Sequence, residues 1–403
     1  MSEFLFRRKP RSLPARLLFL LSEPPYPAHR NGLALINFHL LRQLPGNWTV
    51  DIIAAGDEPV DVEAMRRELP AIDRFTTLSS VQSPLDTFAT GLHPLLAGLF
   101  GGPAEVLADR AFPGTRYDLI YAAPLTSAPR ARAALPVFIN AVDSYSLLNA
   151  RFDALAPAWR YRVRTAIYQH YERYFLKAAG GVNFVSDVDA DHVRQHCGLT
   201  TVTAIANGVD LDLFRDRRIP REAGTLLFTG NFAYEPNRDA AVHLARDILP
   251  LARASDPDLR LVIAGKNPPA ELTGCDGVSL TGFVDDLAAW YNRSAIFVCP
   301  LRSGAGIKNK VLEAMACGIP IVCSTIASDG LGGSEAGREY LVADDAASFA
   351  AAIVQLHRDP ALQRSLASAG SALVHENYHW EAAANRYFDR FEAIMARPPG
   401  DAA

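Results

Sequence analysis

No stretch of this 403-residue chain approaches the roughly 20 consecutive apolar residues that a membrane-spanning helix needs. The first apolar run, Leu17 to Leu21, is short. The basic segment before it (Arg7, Arg8, Lys9, Arg11, Arg16) leads into Glu23-Pro24-Pro25 rather than a small-residue cleavage site, so no signal peptide is expected. Cysteine is scarce: Cys197, Cys275, Cys299, Cys317 and Cys323 are an odd number without framework spacing. Three of them stand in apolar or small-residue runs, which predicts reduced core thiols and a cytoplasmic location. Neither sign of charge dominates, and a formal net charge of −4 argues against general nucleic-acid binding. Metal-site patterns are missing as well. His192 and His196 are four apart, but residue 193 is Val, so the His-Glu-x-x-His pattern is absent and both read as exposed helix histidines. No essential metal is expected.

What is present is an ordinary globular composition, 49% hydrophobic and 21% charged, in a length that suits two or three domains. Strand-like and helix-like stretches alternate, the mark of an α/β architecture with parallel sheets. Leu17–Leu21, Val50–Ala54, Leu119–Ala122, Val137–Ile139 and Gly181–Val185 read as strands of a first sheet. Thr225–Phe228, Arg260–Ala264, Val278–Leu280, Ile296–Cys299 and Ile321–Cys323 read as strands of a second. Leu33 to Leu44 and Asp239 to Ala254 carry helical patterns between them. The charged segment from Asp210 to Gly224, with Pro220 in it, marks the boundary: residues 1–215 form one expected domain and 216–379 the other. The final helix, 380–396, packs back on the first domain or caps the second. The tail Pro398 to Ala403 reads as disordered.

The densest chemistry lies between Pro300 and Pro320. An apolar strand ends at Cys299, Gly304-Ala305-Gly306 makes a turn, and Lys308 and Lys310 precede a helix that carries Glu313 one turn in. Strand, Gly-x-Gly loop and helix start aim backbone N–H groups and a positive dipole at an anion. The lysines add charge, and Glu313 is placed to accept from a ribose diol. A nucleoside diphosphate, and most simply a nucleotide sugar, is the ligand these features suit.

This segment resembles the donor-site signature of the retaining GT-B glycosyltransferases of family 4, the glycosyl transferases group 1, and the likeness is strong from about Ala204 to Val342. It implies a GT-B fold, α/β with two Rossmann-like domains facing across a cleft, and sugar transfer with retention from a UDP- or GDP-linked donor. The acceptor would be a glycan, glycolipid or other hydroxyl, in surface polysaccharide or glycoconjugate synthesis. No cofactor is implied beyond that substrate. In the resemblance, Gly304, Ala305, Gly306, Lys308 and Glu313 bind the diphosphate and ribose, and Lys308 stabilises the leaving group. Lys310 either points to solvent or pairs with a carboxylate. Gly230 and Asn231 close the first strand of the donor domain, without the Arg/Lys pair that many relatives carry there. Phe283 and Val284, in Thr281-Gly282-Phe283-Val284-Asp285, cover the base.

Ala206-Asn207-Gly208-Val209-Asp210 matches the element ending the first domain and reads as a turn. Asn31-Gly32 stands where relatives have a glycine pair, so Gly32 is a candidate for close approach to phosphate. Asn140 and Asp143 follow a strand after which relatives often have His, and are candidates near the acceptor or reacting carbon. The Glu-x7-Glu pair of many relatives is incomplete, with Ala305 in place of its first member. Two other readings stay open: a nucleotide-sugar epimerase on the same fold, and a non-catalytic partner of another transferase. Trp159 to Lys177 is an aromatic and basic helix, which either packs its tyrosines inward or lies on anionic membrane, giving a peripheral location on the inner face.

Overall fold

A computed structural model describes residues 13–28, 31–56, 59–80, 104–131 and 133–397. Residues 1–12, 81–103 and 398–403, which include most of the basic N-terminal sequence and the end expected to be disordered, lie outside the described residues. The chain divides into two units. One takes the described residues up to Asn149, then Arg162–Ala206 and Trp380 onward; the other takes Ala150–Tyr161 and Asn207–His379. The division therefore falls before residue 215, and a short segment from the middle of the chain groups with the second unit.

Among its described residues the first unit holds seven parallel strands: β1 (Ala15–Leu21), β2 (Trp48–Ala54), β3 (Ile72–Thr77), β4 (Leu119–Ala123), β5 (Val137–Val142), β6 (Gly181–Phe184) and β7 (Val202–Ala204). Their order is β3-β2-β1-β4-β5-β6-β7. The central strands are continuous apolar runs because both faces of the sheet are covered. Leu17, Phe19, Val50, Ile52, Leu119 and Tyr121 are all buried. Asp51 interrupts this pattern without breaking it. Buried in β2, it accepts from Arg16 (2.7 Å), Arg74 and Tyr117 (2.8 Å), and those hydrogen bonds overcome the burial that would raise its pKa and hold it low.

The helix Trp380–Met395 belongs to this first unit. Phe391 packs against Phe138 (5.0 Å between centroids) and Tyr121 (5.9 Å), and Tyr387 accepts a hydrogen bond from Asn183 (2.8 Å).

The second unit has six parallel strands: β8 (Glu222–Thr229), β9 (Arg260–Ala264), β10 (Val278–Gly282), β11 (Ser294–Cys299), β12 (Ile321–Cys323) and β13 (Leu341–Val342), ordered β10-β9-β8-β11-β12-β13. The helical pattern expected over 239–254 is Glu235–His243 and Leu249–Ser255 joined by a π-turn at Leu244–Ile248, just ahead of Pro250. Cys299, Cys317 and Cys323 are buried free thiols in this unit. Among the described residues, no helix is long and apolar enough to cross a membrane.

Candidate functional site

In the second unit β8 pairs with both β9 and β11, so the strand order reverses at β8/β11, and open parallel sheets bind ligands beyond the carboxyl ends of their strands at such a point. The carboxyl edge is unusually bare. Gly230 follows β8, Gly265 follows β9 and Gly282 ends β10, with Gly265 N–H donating to the Gly282 carbonyl (3.0 Å). Gly265 has φ +138°, and any side chain there would run into the Gly230 carbonyl. A Cβ at Gly230 would meet Asn237 Nδ2 at 2.9 Å and Lys310 Nζ at 3.1 Å. Glycine at 230 therefore makes the room in which Lys310 sits.

On the β11 side the loop after Pro300 leads into the helix Asn309–Ala316. Gly304 (φ +138°) and Gly306 (φ +66°) turn the chain, and Arg151 pins the loop, donating to the Gly304 carbonyl (2.6 Å) while pairing with Asp329. The helix starts at Lys308 without a side-chain cap. Its first N–H groups thus meet no capping side chain, the state in which a helix start suits an anion. Ser303, in the same loop, is buried with no partner for its hydroxyl among the described residues.

The two lysines differ. Lys308 is buried and folds back, donating to the carbonyls of Ala305 (3.0 Å) and Gly306, so its ammonium ties the loop together. Lys310 reaches the β8/β11 crevice. It donates to Asn237 Oδ1 (2.6 Å) and lies 4.6 Å from the centre of the Phe228 ring. Burial, with the charge of Lys308 acting the same way, pulls its pKa down to about 8 against the pull of Cys299 and Glu313. Neither alternative expected for Lys310, solvent or a carboxylate partner, describes this contact.

Glu313 stands one turn further on. Tyr291 donates to it (3.0 Å) and also meets Thr229 (2.8 Å), so a buried phenol links β8 to the helix. Burial raises the pKa of Glu313, opposed by the Tyr291 hydrogen bond and by Lys310.

Asn231 is ordered by its surroundings: its carbonyl accepts from Asn237 (2.9 Å) and its side chain from Ala233 N–H (3.1 Å) and Asn267 (3.0 Å). Phe283 is exposed and Val284 half-buried at the end of β10. Asp286 caps the following helix, accepting from Ala289 N–H (3.0 Å), and pairs with Arg217. Asn207 is more than a turn residue. Its side chain donates to Asn309 Oδ1 (2.9 Å), at the first position of the site helix.

The first-unit candidates stand in three different settings, and one of them, Asn140, is corrected. Asn140 is fully buried, donating to Tyr121 (3.0 Å) and accepting from Asn183 (3.2 Å), so it fixes the sheet to the last helix and cannot reach a sugar. Asn31 caps the helix Gly32–Arg42, accepting from Leu33 N–H (2.9 Å) and Ala34 N–H (3.0 Å), which leaves Gly32 exposed at a closed helix start. Asp143 is half-buried and follows Val142, whose φ of +70° with the Asp143 N–H to Ala141 carbonyl bond (3.0 Å) makes a γ-turn of the strained hand.

His192 and His196 are not solvent histidines. His196 Nε2 lies 2.9 Å from the buried Glu172, and His192 Nε2 is 2.9 Å from Ser146 Oγ. Burial opposes protonation of His196, but hydrogen bonds to Cys197, Glu172 and the His192 backbone hold its pKa up to about 10.

Sequence reasoning missed Asn237 and Tyr291, and it put Lys308 first where Lys310 is the lysine that reaches the crevice. A signal was available: Lys310 and Glu313 are three apart on one helix and share a face.

Residues 223–359 match the family model for glycosyl transferases group 1. The phosphatidyl-myo-inositol mannosyltransferase of Mycolicibacterium smegmatis is 32% identical over 203 residues, which are 47% of this chain and 51% of that protein. The chain thus spans about half the length of such curated relatives. Over 94% of its length it resembles solved structures, one being sucrose-phosphate synthase from Thermosynechococcus elongatus (TM-score 0.71, 19% identity, 99% of that chain). Anabaena Alr3699/HepE in complex with UDP-glucose is a second (TM-score 0.65, 15% identity, 94% and 100%). These likenesses give the fold, two Rossmann-like units of the GT-B class.

Proposed function

We propose that this chain, whose residues 223–359 belong to the glycosyl transferases group 1 family, moves a sugar from a nucleoside diphosphate donor to a hydroxyl acceptor in glycoconjugate synthesis. One observation carries the reading: an uncapped helix start after a glycine loop, with Lys310 beside it at the switch point of the second sheet. Phosphate there would meet backbone N–H groups, the helix dipole and an ammonium together. Charge building on the leaving diphosphate would be stabilised by those fixed donors, the largest contribution such a site makes to a transfer reaction. Glu313, braced by Tyr291, would hold the ribose. Retention at the anomeric carbon and a UDP- or GDP-linked donor are part of the proposal. The similarity to mannosyltransferases favours transfer over epimerisation or a scaffold role.

Calorimetric titration with UDP, GDP and ADP, followed by transfer assays, tests it. Glu313→Ala is expected to weaken nucleotide binding by about tenfold, the loss of one charged hydrogen-bonding partner. Unchanged affinity in that variant would remove Glu313 from the site.

We further propose contact with an anionic membrane through the helix Trp159–Leu176. Trp159 is 77% exposed, with Val163 and Tyr174 also exposed beside Arg160, Arg164 and Arg173, whereas Tyr171, Phe175 and Leu176 pack inward. Exposed aromatic and apolar groups among arginines suit the interface of an acidic bilayer. Flotation with vesicles containing phosphatidylglycerol should carry the wild type and lose Trp159→Ala; equal flotation of both would remove this helix from the contact.

A further inference from the structure

Arg151 comes from the first half of the sequence yet holds the glycine loop of the second sheet. It lies on the helix Tyr145–Leu155, in the short segment Ala150–Tyr161 that packs with the second unit. That segment is braced from within: Phe152 stacks on Tyr161 (5.4 Å between centroids), and Ala158 N–H donates to Asp153 (2.9 Å). Arg151 Nη1 donates to the Gly304 carbonyl (2.6 Å) and Nη2 pairs with Asp329, both side chains being largely buried. A guanidinium is a rigid fork, so each of these contacts fixes the direction of the other.

Three consecutive carbonyls of the loop are thus held by cations: Gly304 by Arg151, and Ala305 (3.0 Å) and Gly306 by Lys308. In a planar trans peptide, a carbonyl and the N–H of the following residue point in opposite directions. A carbonyl fixed by a cation therefore turns the next N–H away from that cation. The amides so directed are those of Ala305, Gly306 and Ile307, immediately before the helix start. Ala305 and Ile307 are buried, and among the described residues neither N–H meets an acceptor. Buried amides are almost always paired. Two exceptions in the same loop as the unpartnered Ser303 hydroxyl point to a ligand with acceptor oxygens. Gly304 is needed twice here, for its φ of +138° and because a Cβ would lie 3.4 Å from Lys308 Cε.

We infer that Arg151 is a positioning residue for the transfer: without touching the donor, it aims the amides of the glycine loop at the donor's second phosphate. This rests on the donor-site reading above. A monophosphate settles on the formal charge of Lys310 at the helix start, so only a diphosphate extends to the loop. Arg151 therefore acts on diphosphate binding alone.

The test is titration of UDP, UMP, GDP and GMP into wild type, Arg151→Met, Arg151→Lys and Asp329→Asn, each with its denaturation midpoint. Arg151→Met is expected to weaken the diphosphates about tenfold, the scale of one charged hydrogen bond, and to leave the monophosphates within about twofold. Asp329→Asn loosens the guanidinium and gives a smaller loss with the same selectivity. Arg151→Lys keeps the charge without the fork and recovers part of the loss. General damage to the fold would weaken all four nucleotides together. Equal losses for mono- and diphosphates, or diphosphate affinity unchanged in Arg151→Met, overturn the inference while the donor site stands. If Arg151→Met does not fold, Asp329→Asn decides by the same comparison. Failure of every nucleotide to bind wild type overturns the donor-site reading and this inference with it.

Discussion

Two of the helices that begin beside strand ends, one starting in each unit, are treated in opposite ways. In the first unit, the helix Tyr145–Leu155 starts in a closed polar cluster. Leu147 N–H donates to Ser144 Oγ (3.2 Å), Ser146 N–H to Glu172 (3.2 Å), and Ser144 N–H to Asp189 (2.8 Å). Glu172 also accepts from the Ser144 hydroxyl (3.0 Å) and the Ser146 hydroxyl (2.6 Å), with His196 as counter-charge. In the second unit, the helix Asn309–Ala316 has no side-chain cap, and glycines clear the space around it. Buried charge that answers to other buried charge makes structure; donors left without an internal acceptor make a site. Ser146, His192 and Glu172 contain the residue types of a hydrolase triad, yet Ser146 is fully buried and both other groups converge on its hydroxyl. That geometry serves no nucleophile.

The contrast predicts that damage to the two regions shows up in different measurements. Glu172→Gln removes the carboxylate that helps keep His196 protonated and holds the cluster together, and is expected to lower stability by about 3 kcal/mol. Nucleotide affinity should stay within about twofold, since the cluster belongs to the first unit and the crevice to the second. A loss of affinity with unchanged denaturation midpoint would reverse the assignment of roles.

The smaller effect concerns pH. The Lys310 ammonium is present below its pKa of about 8 and lost above it. Above pH 8 the free protein must take up a proton to bind a diphosphate, so affinity falls as pH rises, by up to about tenfold per pH unit. Below pH 8 the curve should be flat with respect to this group. Lys310→Met removes the dependence above pH 8; a wild-type profile flat from pH 7 to 9.5 would show that the ammonium takes no part.

Most of the fold was legible because parallel strands covered on both faces are apolar throughout, as Leu17–Leu21 and Ile296–Cys299 are. The edge strands were not. β3 reads Ile-Asp-Arg-Phe-Thr-Thr and is half exposed, β7 has three residues and β13 has two, too little pattern for any period to register. The glycine turn and the helix that carries Glu313 were legible from spacing as local structure. Asn140 was not, because a polar residue at a strand end looks the same whether it faces a ligand or a buried Tyr121. The lysines differ through one turn of geometry. Lys308 is the residue before the helix and Lys310 lies inside it, and two residues along a helix is about 200° of rotation. Only the side of the helix start that faces Gly230 decides which ammonium reaches the crevice.

The central claim is that Lys310 is the cation of a nucleoside diphosphate site. Its most direct test is titration of UDP and GDP, at pH 7 and without metal, into wild type and Lys310→Met. The account predicts that at least one nucleotide binds wild type and that the variant loses on the order of a hundredfold in affinity. Equal affinity in the two proteins would contradict it.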